Sequence, residues 1–326
     1  MTSSAGDLRG RAVTVKVPAT SANLGPGFDT LGLALALYDE LQVTVRDEPG
    51  ATVDVIGVGA GEVPTDESNL VVRAIAHTFQ AVGHPMPGLD LVARNNIPHG
   101  RGMGSSGAAI VSGIMAAKGL LDGIVDIDAQ GLLALANDME GHPDNVAPAL
   151  FGGLTIAWVT PEGPRFKKLI VHRGVSPLVF VPEHVMSTAL ARSLQPQSVP
   201  HEDAVFNVSR SALLVAALIQ SPELLHAATE DKLHQSYRAS AMPETDRLIT
   251  LLRENGFAAV VSGAGPSILV LCSDPSQRLA AAELVAQKAE TRWQPLMLAV
   301  DFKGATVAAL ATDRADAGVS SDTPAA

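Results

Sequence analysis

The chain has 326 residues, 47% apolar and 17% charged, which is material for one large core or two ordinary ones and too little charge for a disordered chain. Its formal net charge of −11, with no strong basic run, argues against nucleic-acid binding, which needs a basic patch. No stretch reaches the ~18 unbroken apolar residues of a membrane helix, the N-terminus lacks the apolar region of a signal peptide, and the single cysteine, Cys272, excludes an intramolecular disulfide or a Cys-based zinc site and fits a reducing cytoplasm.

Residues 1–10 read as a loose tail. Alternation predicts a strand from Arg11 to Val17, followed by a Gly/Pro/Ser-rich turn from Pro18 to Asp29. Leu31–Leu37 is apolar, Glu40–Asp47 alternates again, and Ala51–Val58 is a further strand. Ser68–Val82 carries apolar residues at helical spacing, with Ser68 as a cap. Gly88–Asn95 reads as a strand. After a Gly-rich turn, Ser105–Leu121 and Asp128–Glu140 read as helices, and Gly141–Ala147 as a polar turn. Leu150–Thr160 and Leu169–Val181 are strand-like. The composition shifts across Thr160–Lys168, which divides a domain at 11–165 from one at 166–308, with 309–326 as a polar tail expected to be disordered. The second half predicts helices at Thr188–Ser193, Glu202–Ile219, Pro222–Glu230, Glu244–Asn255 and Ser276–Thr291. Strands are predicted at Ala258–Ser262, Ser267–Cys272 and Leu296–Asp301. Cys272 sits in an apolar run and reads as a buried strand residue. Helices together with sheet give an α+β class.

The chemistry concentrates in Pro98-His99-Gly100-Arg101-Gly102-Met103-Gly104-Ser105-Ser106-Gly107-Ala108. Alternating glycines let the backbone approach a ligand, and two hydroxyls follow where a helix begins. A helix N-terminus offers free N–H groups and the positive end of the dipole, so the segment is an anion cradle. Gly102-x-Gly104-x-x-Gly107 imitates a dinucleotide fingerprint, and Asp122 lies about twenty residues on. The segment after the first helix is another helix, however, where that fold needs a strand ending at the acid. The turn also lacks the lysine of a Walker A loop.

Pro98-x-x-x-Gly102-Met103-Gly104-Ser105-Ser106 resembles the P-x-x-x-G-L-G-S-S motif of the GHMP kinases, with Met103 for Leu and Gly107 for the usual Ala. Val17-Pro18-Ala19-Thr20-Ser21-Ala22-Asn23-Leu24-Gly25-Pro26-Gly27-Phe28-Asp29 resembles that family's N-terminal substrate motif. Val261-Ser262-Gly263-Ala264-Gly265-Pro266-Ser267 resembles its C-terminal Gly-rich loop. Within the family, Asn23–Asp29, Glu140-Gly-His142-Pro-Asp144-Asn145-Val-Ala-Pro148, Ser187-Thr188-Ala-Leu-Ala-Arg192 and Tyr237-Arg238 resemble the homoserine kinases; Ser236 stands where Pro is common. The resemblance spans about residues 11–305.

The resemblance implies a ribosomal-S5-like N-terminal α/β domain and a ferredoxin-like C-terminal α+β domain. It implies ATP on Asn69 and the 98–108 turn, and Mg²⁺ on Ser105, Ser106 and Glu140, with Asp138 competing for Glu140's role. It implies L-homoserine as the phosphate acceptor, O-phospho-L-homoserine as the product, a place in threonine biosynthesis, and a homodimer. The homoserine carboxylate suits the planar fork of an arginine, and the resemblance makes Arg192 and Arg238 its candidates. Asp29 and Asn23 suit the ammonium, with His142 and Gly265 nearby. His142, Asp144 and Asn145 are the candidate catalytic residues. Asn145 occupies the place where some members carry a basic Asp, and neither His142 nor Asp144 is assigned as the base. Other acceptors of this superfamily (mevalonate, a diphosphocytidyl sugar alcohol, a sugar) would not require the arginine pair. A non-catalytic ligand sensor would be free to lose Glu140, Ser105 and Ser106.

Overall fold

The computed structural model describes residues 8–310; most of the expected N-terminal tail, and residues 311–326 of the expected C-terminal one, lie outside the described residues. The first half runs β1 (Ala12–Ala22), β2 (Leu31–Arg46), β3 (Ala51–Gly57), α1 (Leu70–Ala81), β4 (Gly88–Asn95), α2 (Ser105–Leu120), α3 (Ala129–Glu140), α4 (Pro143–Phe151), β5 (Leu154–Thr160) and β6 (Gly163–Leu169). The second half runs β7 (Ser176–Pro182), α5 (Thr188–Ser193), α6 (His201–Ile219), α7 (Leu225–Ala228), α8 (Gln235–Arg238), α9 (Pro243–Glu254), β8 (Ala258–Val261), β9 (Ile268–Cys272), α10 (Ser276–Lys288), β10 (Trp293–Met297) and β11 (Thr306–Ala309).

One sheet has the order β11-β1-β2-β4-β3, and β5 joins the N-terminal half of β2 with β6 outside it. Only β3 and β4 pair in parallel, with α1 as the crossover between them; the other pairings are antiparallel. β2 explains why one strand can do this. Its first residues, Leu31–Leu35, are buried throughout, whereas Asp39–Val45 alternates buried with exposed, so its ends face different surroundings. α2 is buried along most of its length and packs against β1, α1, α3 and α4. A helix without a polar face belongs in the middle of a core, which is where Ser105 to Leu120 lies.

The second sheet has the order β10-β7-β9-β8, antiparallel throughout. Leu178, Phe180, Ile268 and Val270 pack towards α9 and α10, while Val179, Val181, Leu269 and Leu271 join the main core with α6. A sheet covered on both faces needs an apolar run rather than an alternation, as in Ile268-Leu269-Val270-Leu271-Cys272. Cys272 is a buried strand residue, and burial pushes its thiol up to about 11.

Several elements differ from the sequence reading. β1 continues through Pro18 to Ala22, because a register shift between Pro18 and Ala19 absorbs the proline's missing N–H. Asn69, not Ser68, caps α1; its Oδ1 accepts from the Val71 N–H at 2.9 Å. The expected turn at Gly141–Ala147 is a turn only as far as His142. Pro143 then opens α4, because a proline's fixed φ suits the first helical position and Asp144 favours the positive helix end. β6 spans the composition shift at 163–169. β10 starts before its expected place, and β11 returns to the first sheet beside β1.

Candidate active site

The phosphate turn is pinned at both ends. Asp39 Oδ1, on β2, accepts from the N–H groups of Asn96 (2.6 Å) and Ile97 (2.9 Å), fixing the chain as it leaves β4. At the far end Gly104 takes the N-cap of α2 with φ 70° and no side-chain cap. The N–H groups of Ser105, Ser106 and Gly107 therefore stay free at the positive end of the longest helix of the first half. A Cβ on Gly102 would run into the Ser262 carbonyl, and one on Gly104 into Thr20 Oγ1, so both glycines are required by close approach as well as by positive φ. Met103 is buried and anchors the turn, and its carbonyl accepts from the Thr20 N–H at 3.1 Å.

The three glycine-bearing segments interlock here. Ser262 Oγ reaches Ser21 Oγ at 2.9 Å and the Gly102 carbonyl at 2.7 Å. The Gly263 N–H donates to Ala22 O, and Asn23 Nδ2 donates to Gly263 O at 2.8 Å. Thr20 Oγ1 donates to Asn145 Oδ1 at 3.0 Å, which brings α4 in as well.

Two cavities meet at Ser105 and Ser106. The larger, 290 Å³, has apolar walls from Leu41, Val55 and Ala109 and polar groups at Asn69, Asn95 and His99. The smaller, 160 Å³, is lined by Asn23, Asp29, Glu140, His142, Asp144, Asn145, Arg192, Arg238 and the Gly263–Gly265 backbone, with Gly100, Gly102 and Gly104 along one side. Every substrate and catalytic candidate of the sequence reading is thus on one wall or another of this small space.

Its electrostatics are those of a divided site. Arg238 is buried with Nη1 3.3 Å from Gly263 O and its guanidinium 5.2 Å from the Phe28 ring centroid. Burial works against its charge, and Asp29 is the leading group that favours it. Arg192 is half exposed and forks onto Asp29. His142 Nδ1 lies 2.5 Å from Asp144 Oδ1, and this hydrogen bond raises the imidazole above its ordinary 6.5. Ser106 Oγ donates to Glu140 Oε2 at 2.8 Å, while burial raises the Glu140 carboxyl above its ordinary range. A partly buried carboxylate beside a hydroxyl is a pair of hard oxygens that gains from a cation. Asp138 is elsewhere: it pairs with His77 at 3.1 Å over a separate, shallow surface.

Some of the expected nucleotide residues hold the surrounding walls together. Asn69 uses Oδ1 as the α1 cap and Nδ2 on Pro64 O (2.6 Å). Arg101 spends its guanidinium on the carbonyls of Pro182, His99 and Glu183, bolting the turn to the end of β7; with Pro98 it faces a different groove. Ala108 is buried beneath the turn. Sequence reasoning passed over Thr20 and Asp39. The first lies inside a recognisable motif, but nothing local marks the second.

The sequence from 69 to 153 matches the GHMP kinases N terminal domain, and 213 to 291 matches GHMP kinases C terminal. A homoserine kinase of Leifsonia xyli subsp. xyli is 87% identical over 94% of this chain and 95% of its own length. One of Streptomyces coelicolor is 48% identical over 93% and 97%. Among solved structures, a homoserine kinase from Cytophaga hutchinsonii superposes with a TM-score of 0.79 at 27% identity, covering 91% of this chain and 97% of that one. The L. major mevalonate kinase shares the fold alone, with a TM-score of 0.67 at 16% identity over 87% and 94%. The α+β architecture, the interlocked glycine segments and these near-full-length likenesses agree, and the chain belongs to the homoserine kinase family of the GHMP kinases.

Proposed function

We propose that the chain transfers the γ-phosphoryl group of ATP to the hydroxyl of L-homoserine, giving O-phospho-L-homoserine and ADP, as a step of threonine biosynthesis. The observation that carries this reading is the small cavity, where two guanidinium groups and a carboxylate–amide pair surround a space that opens at Ser105 and Ser106 onto a larger apolar one.

The larger cavity takes the adenosine, and the phosphates lie on the free N–H groups of Ser105 to Gly107. Arg238 and Arg192 take the amino-acid carboxylate; Asp29 and the Asn23 amide take the ammonium. The zwitterion thus replaces the Arg192–Asp29 pair with two pairs of its own. This leaves the hydroxyl end directed at the phosphate turn beside His142 and Asn145. Most of the rate enhancement in such a transfer comes from positioning and charge neutralisation. The Asp144 carboxylate holds His142 by Nδ1, so Nε2 is the nitrogen left for the hydroxyl proton. Glu140, Ser106 and Ser105 offer the hard oxygens that would hold Mg²⁺, which would supply neutralisation of phosphate charge. Among the described residues no three His, Cys, Asp or Glu side chains gather to hold an ion, which fits a cation that completes its shell with phosphate and water.

The two sheets support a nucleotide domain at 11–165 and a second domain at 166–308, with β11 lent back to the first. No described helix is long and apolar enough to cross a membrane. A cytoplasmic, homodimeric enzyme completes the reading, and light scattering tests the dimer. A coupled ADP-release assay over homoserine, threonine, mevalonate and galactose tests the activity. Turnover with homoserine is expected, and its absence overturns the assignment.

A further inference from the structure

The turn that supplies Asn23 and Asp29 holds three non-glycine residues in the left-handed region: Asn23 (φ 71°), Leu24 (φ 51°) and Asp29 (φ 54°). Such residues persist only where their surroundings over-determine them. Asn23 Oδ1 accepts from the Asp29 N–H at 2.9 Å within the turn, and the rest of the surroundings come from the other half of the chain. His234, fully buried, has Nε2 2.7 Å from Gly25 O. Asn207 Nδ2 and Ser211 Oγ, both on α6, donate to Pro26 O at 3.0 and 2.5 Å. The His234 ring stacks on Phe28 with 4.7 Å between centroids, and Arg238 faces the same phenyl ring. His234 also immediately precedes α8, the helix that ends at Arg238.

The chemistry of the imidazole is fixed by its partners. A carbonyl accepts only, so Nε2 carries the proton. Nδ1 has no partner among the described residues. Burial pushes the ring's pKa down, with the nearby Asp231 carboxylate opposing and Arg238 assisting. Asp231 is itself occupied by the N–H groups of Leu233, His234 and Gln235. His234 is therefore a directed donor to the Gly25 carbonyl.

We propose that His234 is a positioning residue for the amino-acid substrate: with Ser211 and Asn207 it clamps the 23–29 turn, which holds Asn23, Leu24 and Asp29 in the left-handed region, and couples Asn23 and Asp29 to Arg238, without touching the substrate. The proposal rests on the assignment of those three residues to the acceptor.

The test compares KM for homoserine and for ATP in the full-length enzyme. His234→Ala is expected to raise KM for homoserine about tenfold or more, the effect of one unsatisfied buried carbonyl, and to leave KM for ATP within about twofold. His234→Gln, whose Nε2 stands near the position of the imidazole Nε2, is expected to recover homoserine KM to within about threefold of the parent, whereas His234→Asn, which mimics Nδ1, stays with Ala. A folded Ala variant with both KM values unchanged, or with both rising together, overturns the proposal, as does Gln performing no better than Ala. Should His234→Ala fail to fold, Ser211→Ala decides: a rise in homoserine KM alone supports the clamp, and an unchanged KM refutes it. Should the parent enzyme use another acceptor, the same comparison is made with that acceptor; the substrate assignment then falls, and the clamp stands or falls on its own KM split.

Discussion

Arg192 lays Nη2 and Nη1 on the two oxygens of Asp29, at 3.0 and 3.3 Å, from 163 positions along the chain. The side chains are 42% and 38% exposed, and a pair so open to water adds about 0–1 kcal/mol to stability. In the proposed reading its value is in holding two opposite charges where an amino acid needs them. Asp29→Asn and Arg192→Ala are expected to leave the melting temperature within about 3 °C of the parent while raising homoserine KM about tenfold or more. A melting point that drops steeply with KM unchanged would assign the pair to the fold instead.

Glu140 sets a pH-dependent test. Burial raises its carboxyl above the ordinary 4.5. A carboxyl with a raised folded pKa stabilises the fold fully below its unfolded value and loses that contribution as pH rises through the folded one. At neutral pH the buried charge is a cost. Glu140→Gln should therefore melt above the parent at pH 7 in metal-free buffer, with the gap closing below about pH 4. The same variant should lose about 10²–10³-fold in kcat. Equal melting at pH 7 would contradict the burial argument.

His142 shows the same direction from a different cause. Its hydrogen bond to Asp144 raises the ring above 6.5, so this pair stabilises the fold fully below that value and loses its contribution as pH rises through the folded pKa. Asp144→Asn should move the His142 NMR titration downwards and flatten stability across that window. His142→Asn should abolish turnover while sparing homoserine binding, as measured by calorimetry. Loss of binding together with turnover would remove His142 from the role of proton acceptor.

Two glycines of the phosphate turn should respond in opposite ways to alanine. Gly104→Ala puts a methyl on Thr20 Oγ1 at φ 70°. The backbone alone costs about 1–2 kcal/mol, and the clash disturbs the Thr20–Asn145 bond, so both the melting temperature and ATP affinity should fall. At Gly107 a Cβ meets Val146 and Asn145 at 3.4 Å and beyond, an ordinary contact inside a helix. Gly107→Ala should stabilise by about 0.5–1 kcal/mol with ATP KM unchanged. Thermal melts and initial rates check both.

What was legible in the sequence was local. The glycine segments announced their turns because close approach leaves no other residue type, and β9 announced itself by an apolar run. β6 did not, since Gly163–Leu169 is a lysine-bearing outer strand that exists by pairing with β5. The four small residues of β11 are a strand only because β1 lies beside them. α4 was hidden by Pro143 and Pro148, which read as breakers although the first occupies the one helical position that favours proline. The same holds at the site. Asp39, Thr20 and His234 find their partners 58, 125 and 209 positions away, and no spacing rule reaches so far.

The pairing of β1 with β11 also orders events during synthesis. Val13 to Lys16 sit opposite Ala309 to Thr306, so the outer edge of β1 waits for almost three hundred further residues to leave the ribosome. Until then the first sheet presents β1 as an open strand, the kind of edge that recruits other chains. A fragment ending near residue 300 keeps the 98–108 turn and every residue of the small cavity, yet lacks the strand that covers the outer edge of β1. Such a fragment is expected to aggregate on expression, and a synthetic peptide covering the β11 sequence should rescue it in trans.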